Sequence, residues 1–123
     1  MSSSEPRGPR QILRALVWSA KGLRAAWLHE ASFRLEGYLC VILFPLGIWL
    51  GDGMLEKALL CGSLLLVLSA ELLNSSIEAV VDKVSPEFHE LAGRAKDMGS
   101  AAVFVLMVNV VLCWGLWLWQ RFS

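Results

Sequence analysis

The fold is decided by one stretch of sequence, AELLNSSIEAVVD, at residues 70–82. It continues the helical character of the apolar run Ala58–Ser69, and the two together predict one long helix. Its polar side chains recur at steps of three, four and four, which places them on one helical face. These side chains are Glu71, Asn74, Glu78 and Asp82. Carboxylates are expensive to keep on a helix as apolar as a membrane span, so the stripe indicates a functional role.

The composition of the 123-residue chain is that of an integral membrane protein. Apolar residues make up 56% of it, and the mean hydropathy is +0.57, which is more than a soluble domain of this size can bury. The net charge is zero, yet six basic and only two acidic residues fall before residue 35. A neutral chain with a basic head favours contact with a membrane surface and argues against nucleic acid.

The sequence predicts an all-α membrane protein with an N-terminal interfacial helix and three transmembrane helices. Residues 1–10 are expected to form a disordered lead, and residues 11–123 a single membrane-embedded domain. The helix at about 11–32 has basic residues on one side and apolar residues on the other, as is typical of the membrane interface. An amphipathic helix packed on a protein core is the alternative. The spans are expected at about 34–50, 55–82 and 97–119.

The distribution of basic residues predicts the topology. They gather before residue 35 and in the polar segment 84–96, which places both in the cytosol and the C-terminus outside. In that segment, Ser85 and Pro86 predict the cap and the first residue of a helix. The polar half of the second span then lies at the cytosolic interface. The third span starts beside it, with small residues at 99–102 that suit close helix packing.

Glu30 has two interpretations. If the first helix runs unbroken, Glu30 and Arg34 both turn towards its apolar side. If the helix ends near Glu30, that side chain is solvated. The residues alone leave both open.

The polar residues of this zone suit phosphoryl transfer. Several carboxylates and one amine, Lys96, match a hard cation such as Mg²⁺, which takes oxygen ligands together with substrate phosphates. A carboxylate that is not on the metal can take a proton from a hydroxyl, so the set describes metal-assisted transfer from a nucleotide to a lipid alcohol. Two alternatives stay open: a proton-coupled or ion-transporting protein, and a non-enzymatic bundle in which Asn74 and Ser75 serve helix packing.

The sequence resembles the prokaryotic diacylglycerol kinase family, which comprises small three-span membrane enzymes. The resemblance rests on residues 71–82 and extends through 21–27, 30–36, 86–91 and 93–103. It implies a homotrimer in the bacterial inner membrane, with shared sites, that phosphorylates diacylglycerol to phosphatidic acid with ATP and Mg²⁺. Undecaprenol kinases of the same family are the alternative. They tend to lack the Arg-Ala-Lys-Asp-Met-Gly-Ser run and the Phe-Arg-x-Glu form that are present here.

The resemblance also implies roles for individual residues. Glu71 matches the base that takes the proton of the lipid hydroxyl, and Asn74 matches a residue that supports the site. Glu30 and Glu78 match the carboxylates that hold Mg²⁺ with the ATP phosphates. Of the residues in the stripe, Asp82 is the one least expected to belong to the active site, and it is interpreted as an anchor of the cytosolic loop. The other matched residues contact the nucleotide, at Glu87, His89, Lys96 and Asp97, or line the lipid side, at Glu36 and Ser100.

Overall fold

The computed structural model describes residues 8–87 and 89–123, and this part of the chain is built from four helices. They are α1 Pro9–His29, α2 Ala31–Leu50, α3 Gly53–Val84 and α4 Glu90–Phe122. Three of them, α2, α3 and α4, are long and apolar enough to cross a membrane, which confirms the predicted all-helical architecture with three candidate spans. Residues 1–7 of the predicted lead lie outside the described residues.

Helix α3 is the centre of the bundle. It packs against α2 on one side and α4 on the other, whereas the backbones of α2 and α4 do not approach each other closely within the described residues. One stripe of α3 is therefore buried, at Leu60, Leu64, Val67 and Ala70, and it continues into Glu71. The outer faces stay apolar and exposed, for example at Val111. Such faces are suited to lipid or to another subunit.

The segment between α3 and α4 differs from the prediction. Ser85 is the C-cap of α3, and α4 begins only at Glu90. The N-cap of α4 is His89, whose Nδ1 accepts a hydrogen bond from the Leu91 N–H at 3.1 Å. Ser85 and Pro86 thus follow the end of one helix instead of opening the next. The physical reason is that a proline disfavours helical backbone in the residue before it.

The chain breaks between α1 and α2 at Glu30, whose backbone is extended at φ −117° and ψ 107°. Helix α1 therefore ends at His29, three residues before its predicted end. The Arg34 guanidinium donates to the Trp27 carbonyl at 2.7 Å and to the Leu28 carbonyl at 3.2 Å. Arg34 is thus a C-terminal cap of α1, because it satisfies carbonyls that the helix leaves free. Glu30 is half-buried at this corner.

Helix α1 docks on α2 through one aromatic residue. A side chain at Gly37 would meet the Trp27 ring, since an added Cβ would lie 2.9 Å from its Cζ3. Trp27 also packs edge-to-face on Tyr38, with 5.3 Å between the ring centroids. The apolar side of α1 beyond this contact is exposed, for example at Leu13 and Leu16. Its location in the membrane interface stays a prediction.

Hydrogen bonds hold the helices together at the end of the bundle opposite to Glu71. The Trp117 indole N–H of α4 donates to Glu56 Oε1 of α3 at 2.7 Å, and the same oxygen accepts from the Asp52 N–H at 3.0 Å. Lys57 Nζ donates to the Ile48 carbonyl at 2.6 Å and so ties α3 to α2. In apolar surroundings each polar group needs such a partner. These bonds tie α3 to both of its neighbours at this end of the bundle.

Candidate active site

Polar side chains converge at one end of the bundle, called here the polar end. It comprises the first turns of α2, the part of α3 after Ala70 and the first turns of α4. The three meet because α3 runs antiparallel to both neighbours: its first turns pack on Gly47 near the end of α2 and on Trp117 near the end of α4. The end of α3 therefore lies beside the beginnings of α2 and α4. The zone that the sequence predicts is therefore assembled from three different segments of the chain.

Two buried carboxylates face each other between α3 and α2. Glu71 is 7% exposed and Glu36 is 6% exposed. Glu71 is the acidic neighbour of Glu36 across the interface between these helices, and neither oxygen of Glu36 has a hydrogen-bond partner of suitable geometry within the described residues. Burying unpaired carboxylates is costly, and groups kept at such cost are concentrated at functional sites. The contact brings the predicted base next to a residue predicted for the lipid side.

Asn74 connects Glu78 to α4. Its Nδ2 donates to Glu78 Oε1 at 3.3 Å, one helical turn further along α3. Its Oδ1 is buried without a hydrogen-bond partner among the described residues and lies against Gly99, where an added Cβ would overlap it. The residue predicted to support the site is therefore hydrogen-bonded to one of the two predicted metal ligands.

Lys96 has an acidic partner at the surface of the polar end. Its Nζ lies 2.5 Å from Asp82 Oδ1, and the two side chains are 42% and 66% exposed. The pair joins the last turn of α3 to α4. Pairs this exposed contribute little to stability, so the amine is available to exchange Asp82 for another anion. Sequence reasoning did not pair these two residues, although it placed both at this depth.

A groove of about 770 Å³ separates α1 from the polar half of α3. Glu30 and His29 line it at the end of α1, and Ser75, Ser76 and Ala79 line it from α3. The rest of its wall is mostly apolar, with leucine and alanine side chains of both helices. The groove joins an apolar cleft to a carboxylate, which is an arrangement suited to an amphipathic molecule.

The other predicted contact residues lie on the outside of the polar end. Four of them are exposed, namely Glu87, His89, Asp97 and Ser100. Of these four, His89 has a structural role, because its Nδ1 caps α4. Its Nε2 takes no part in that hydrogen bond. The exposed positions are open to a nucleotide or to a second subunit.

Within the described residues, no three His, Cys, Asp or Glu side chains are arranged to hold a metal ion. Glu30 lines the groove beside α1, whereas Glu78 is bonded to Asn74 on the side of α4. Oxygen donors are nevertheless the ligand type that Mg²⁺ prefers, and Mg²⁺ usually takes one or two carboxylates and completes its shell with phosphates and water. The chemistry of the donor set fits Mg²⁺ held together with a nucleotide.

Four contacts of the polar end were missed by sequence reasoning: Glu36 with Glu71, Gly99 with Asn74, Lys96 with Asp82, and Arg34 with the end of α1. The small residues at the start of the third span were the only signal for any of them. They predicted close packing but not the residue that is packed against them.

Three helices that are long and apolar enough to cross a membrane, with two acidic side chains buried at one end, are the features expected of a small membrane-embedded enzyme. The sequence profile of the family described as prokaryotic diacylglycerol kinase matches residues 17–118. The diacylglycerol kinase of Escherichia coli K12 is 47% identical over 116 residues, which cover 94% of this chain and 95% of the relative. That of Haemophilus influenzae is 44% identical over 108 residues, with 88% and 92% covered.

A more distant relative is covered to a similar extent. The diacylglycerol kinase of Helicobacter pylori 26695 is 39% identical over 112 residues, which cover 91% of this chain and 88% of the relative. The chain therefore belongs to the prokaryotic diacylglycerol kinase family, and the resemblance found in its motifs is confirmed. It is a kinase, as predicted, and not a transporter or a purely structural bundle.

Proposed function

We propose that the protein phosphorylates diacylglycerol to phosphatidic acid, with ATP as phosphoryl donor and Mg²⁺ as metal. The relatives that cover nearly the whole chain carry the name diacylglycerol kinase. The observation that carries the mechanism is the polar end itself, where Glu71 is buried beside Glu36 and the Asn74–Glu78 pair follows on the same face of α3. Glu71 and Glu78, the proposed base and the proposed metal ligand, are two helical turns apart on α3.

Glu71 acts as the general base. It takes the proton of the lipid hydroxyl while that oxygen forms a bond to the γ-phosphorus and the bond from phosphorus to the β,γ-bridging oxygen breaks. ADP leaves with the electron pair of that bond, and Glu71 carries the proton. A base within hydrogen-bond reach of the hydroxyl contributes typically about 10²–10⁴-fold to the rate. Glu36, beside it, holds the lipid headgroup on the side of α2.

Glu78 and Glu30 are the residues that would hold Mg²⁺ together with the ATP phosphates. The metal supplies neutralisation of the charge that builds up on the transferred phosphoryl group. Asn74 keeps the Glu78 carboxylate in one orientation through its 3.3 Å hydrogen bond. Glu30 reaches the site from the corner that Arg34 caps.

The nucleotide is contacted from α4 and from the segment before it. Lys96 exchanges Asp82 for a phosphate, and Asp97, Glu87 and His89 contact the rest of the nucleotide. A single amine with flexible carbon–carbon bonds binds phosphate as a point charge and needs no glycine-rich loop. Ser100, one residue beyond Gly99, lines the lipid side.

We place the polar end at the cytosolic face of a bacterial inner membrane, with the N-terminus in the cytosol and the C-terminus in the periplasm. The excess of basic residues at this end supports that orientation. The proposed assembly is a homotrimer in which neighbouring subunits complete each site. It is supported by the extensive exposed apolar faces of the three long helices, which a partner subunit and lipid would cover.

The test compares wild type with Glu71→Gln in lipid-doped micelles. We expect label from γ-labelled ATP to enter diacylglycerol only with Mg²⁺, and Glu71→Gln to lose at least about 10²-fold of this rate. The matched control is Glu56→Gln, the same change on the same helix at the opposite end of the bundle, which should keep the activity. Undecaprenol is offered in a parallel reaction. Faster labelling of undecaprenol would reverse the choice of substrate, and full turnover by Glu71→Gln would remove Glu71 as base.

A further inference from the structure

Gly99 is buried where α4 packs on the polar half of α3. A Cβ built there would overlap Asn74 Oδ1, and it would lie 3.3 Å from Asn74 Cγ and 3.6 Å from Ile77 Cδ1. The overlapping atom belongs to a short side chain with few torsions, and the other end of that side chain is bonded to Glu78. The amide therefore cannot yield to a methyl group at position 99 without changing its contact to Glu78.

The two ends of the Asn74 amide are not interchangeable. Nδ2 is a donor and faces a carboxylate oxygen of Glu78 at 3.3 Å. With the amide reversed, its carbonyl oxygen would face the carboxylate, and two acceptors repel each other. The carbonyl oxygen must therefore point towards α4, where it is buried and has no hydrogen-bond partner among the described residues. The oxygen occupies the space that a side chain at position 99 would fill.

Two other helical glycines show that this is a property of position 99. Gly115, on the same helix, and Gly62, on α3, have no atom within 4 Å of an added Cβ. No neighbouring atom therefore requires a glycine at either of them. At Gly99, by contrast, the Asn74 side chain of the candidate site lies so close to the backbone that a Cβ would overlap it.

We propose that Gly99 is a positioning residue: its missing side chain makes room for the Asn74 amide, which in turn orients Glu78 towards Mg²⁺ and the nucleotide. This inference deepens the proposed function and rests on it. Gly99 touches no reacting atom, and it acts on the site through Asn74 alone.

The substitution Gly99→Ala places a methyl group where the amide oxygen lies. Either the amide rotates and loses Glu78, or α4 moves away from α3. The first response weakens the binding of Mg²⁺ with nucleotide, and the second lowers stability. Rotation of the amide breaks one 3.3 Å hydrogen bond, whereas a movement of α4 disrupts its packing on α3. We therefore expect the amide to rotate. Residues that orient metal ligands change metal affinity by about 10–100-fold when replaced.

The first measurement is the Mg²⁺ concentration at half-maximal diacylglycerol phosphorylation, together with kcat at saturating Mg²⁺. For Gly99→Ala the half-saturating concentration should rise by about tenfold or more. Gly115→Ala is the matched control, since it makes the same change on the same helix without a contact, and it should stay near wild type. Equal Mg²⁺ requirements in the two variants would overturn the positioning role.

The second measurement needs no turnover. The increase in thermal unfolding temperature caused by Mg²⁺ with a non-hydrolysable ATP analogue is recorded for wild type, Gly99→Ala, Asn74→Ala and the double variant. Gly99→Ala should weaken this binding in wild type and have no further effect in Asn74→Ala, where the overlapping oxygen is gone. Without ligand, any decrease in the unfolding temperature caused by Gly99→Ala should likewise be smaller in the Asn74→Ala background than in wild type.

The outcomes separate the two proposals. Equal effects of Gly99→Ala in both Asn74 backgrounds would show that Gly99 does not act through the amide. A fall in kcat with unchanged Mg²⁺ requirement would show a packing role only, and would also contradict the inference. A wild-type protein that binds Mg²⁺ and nucleotide but labels no diacylglycerol would overturn the proposed function while leaving the Gly99 contact to be judged from the binding data.

Discussion

Replacement of Arg34 by Ala tests whether the corner between α1 and α2 sets the position of Glu30. Arg34 donates to the Trp27 and Leu28 carbonyls at 2.7 and 3.2 Å, and the half-buried Glu30 lies between these groups in sequence. Two such bonds, which are partly exposed, are worth about 1–2 kcal/mol together. A difference of about 1.4 kcal/mol changes an equilibrium tenfold.

If the corner opens, only a fraction of the molecules presents Glu30 to the site. The apparent affinity for a ligand falls in proportion to the competent fraction. We therefore expect Arg34→Ala to raise the half-saturating Mg²⁺–ATP concentration by up to about tenfold, with kcat at saturation unchanged. Arg34→Lys keeps the charge but not the planar fork, and should lie between Arg34→Ala and wild type.

The assay is phosphorylation of diacylglycerol in mixed micelles across a range of Mg²⁺–ATP concentrations. Arg24→Ala serves as the control, because it removes a basic side chain from the exposed side of α1 and leaves the corner intact. An unchanged half-saturating concentration in Arg34→Ala would refute the link between the cap and Glu30. A loss of kcat at saturation, with the same half-saturation, would show that Arg34 serves the chemical step instead.

Three further predictions concern the two ends of the bundle. Asp82→Asn removes the partner of Lys96, and because the pair is exposed we expect nearly unchanged thermal stability and, at most, stronger ATP binding. Lys96→Met should raise the KM for ATP, and an unchanged KM would remove Lys96 from the nucleotide site. Trp117→Phe removes the 2.7 Å bond to Glu56, so it should lower the thermal unfolding temperature while leaving kcat unchanged at low temperature. A loss of kcat without loss of stability would contradict that separation of roles.

Much of the architecture follows from local properties of the chain. Each span is an apolar run long enough to be recognised without knowing its neighbours, and the structure confirms three such helices. The burial of Glu71 also follows locally, because it continues the stripe that begins at Leu60. Helical periodicity decides which residues share a face, whatever packs on that face.

The segment around Ser85 and Pro86 shows where local reasoning fails. A serine followed by a proline is a good start for a helix and also a good stop after one. Which of the two occurs depends on the length of α3 and on the cap that His89 supplies to α4. Local reasoning also fails at Glu30. Whether α1 ends there depends on Arg34, which donates to a carbonyl in the last turn of α1.

By itself the sequence determined the spans, the carboxylate stripe on α3 and, through its motifs, the kinase family. Only the tertiary structure decided which residues meet across helices: Glu36 with Glu71, Gly99 with Asn74, and Lys96 with Asp82. The reason is physical. Periodicity assigns a residue to a face, but the shift and rotation of one helix against another are set by packing over the whole interface. The polar stripe therefore marked a site, and the packing of α2 and α4 on α3 decided its contacts.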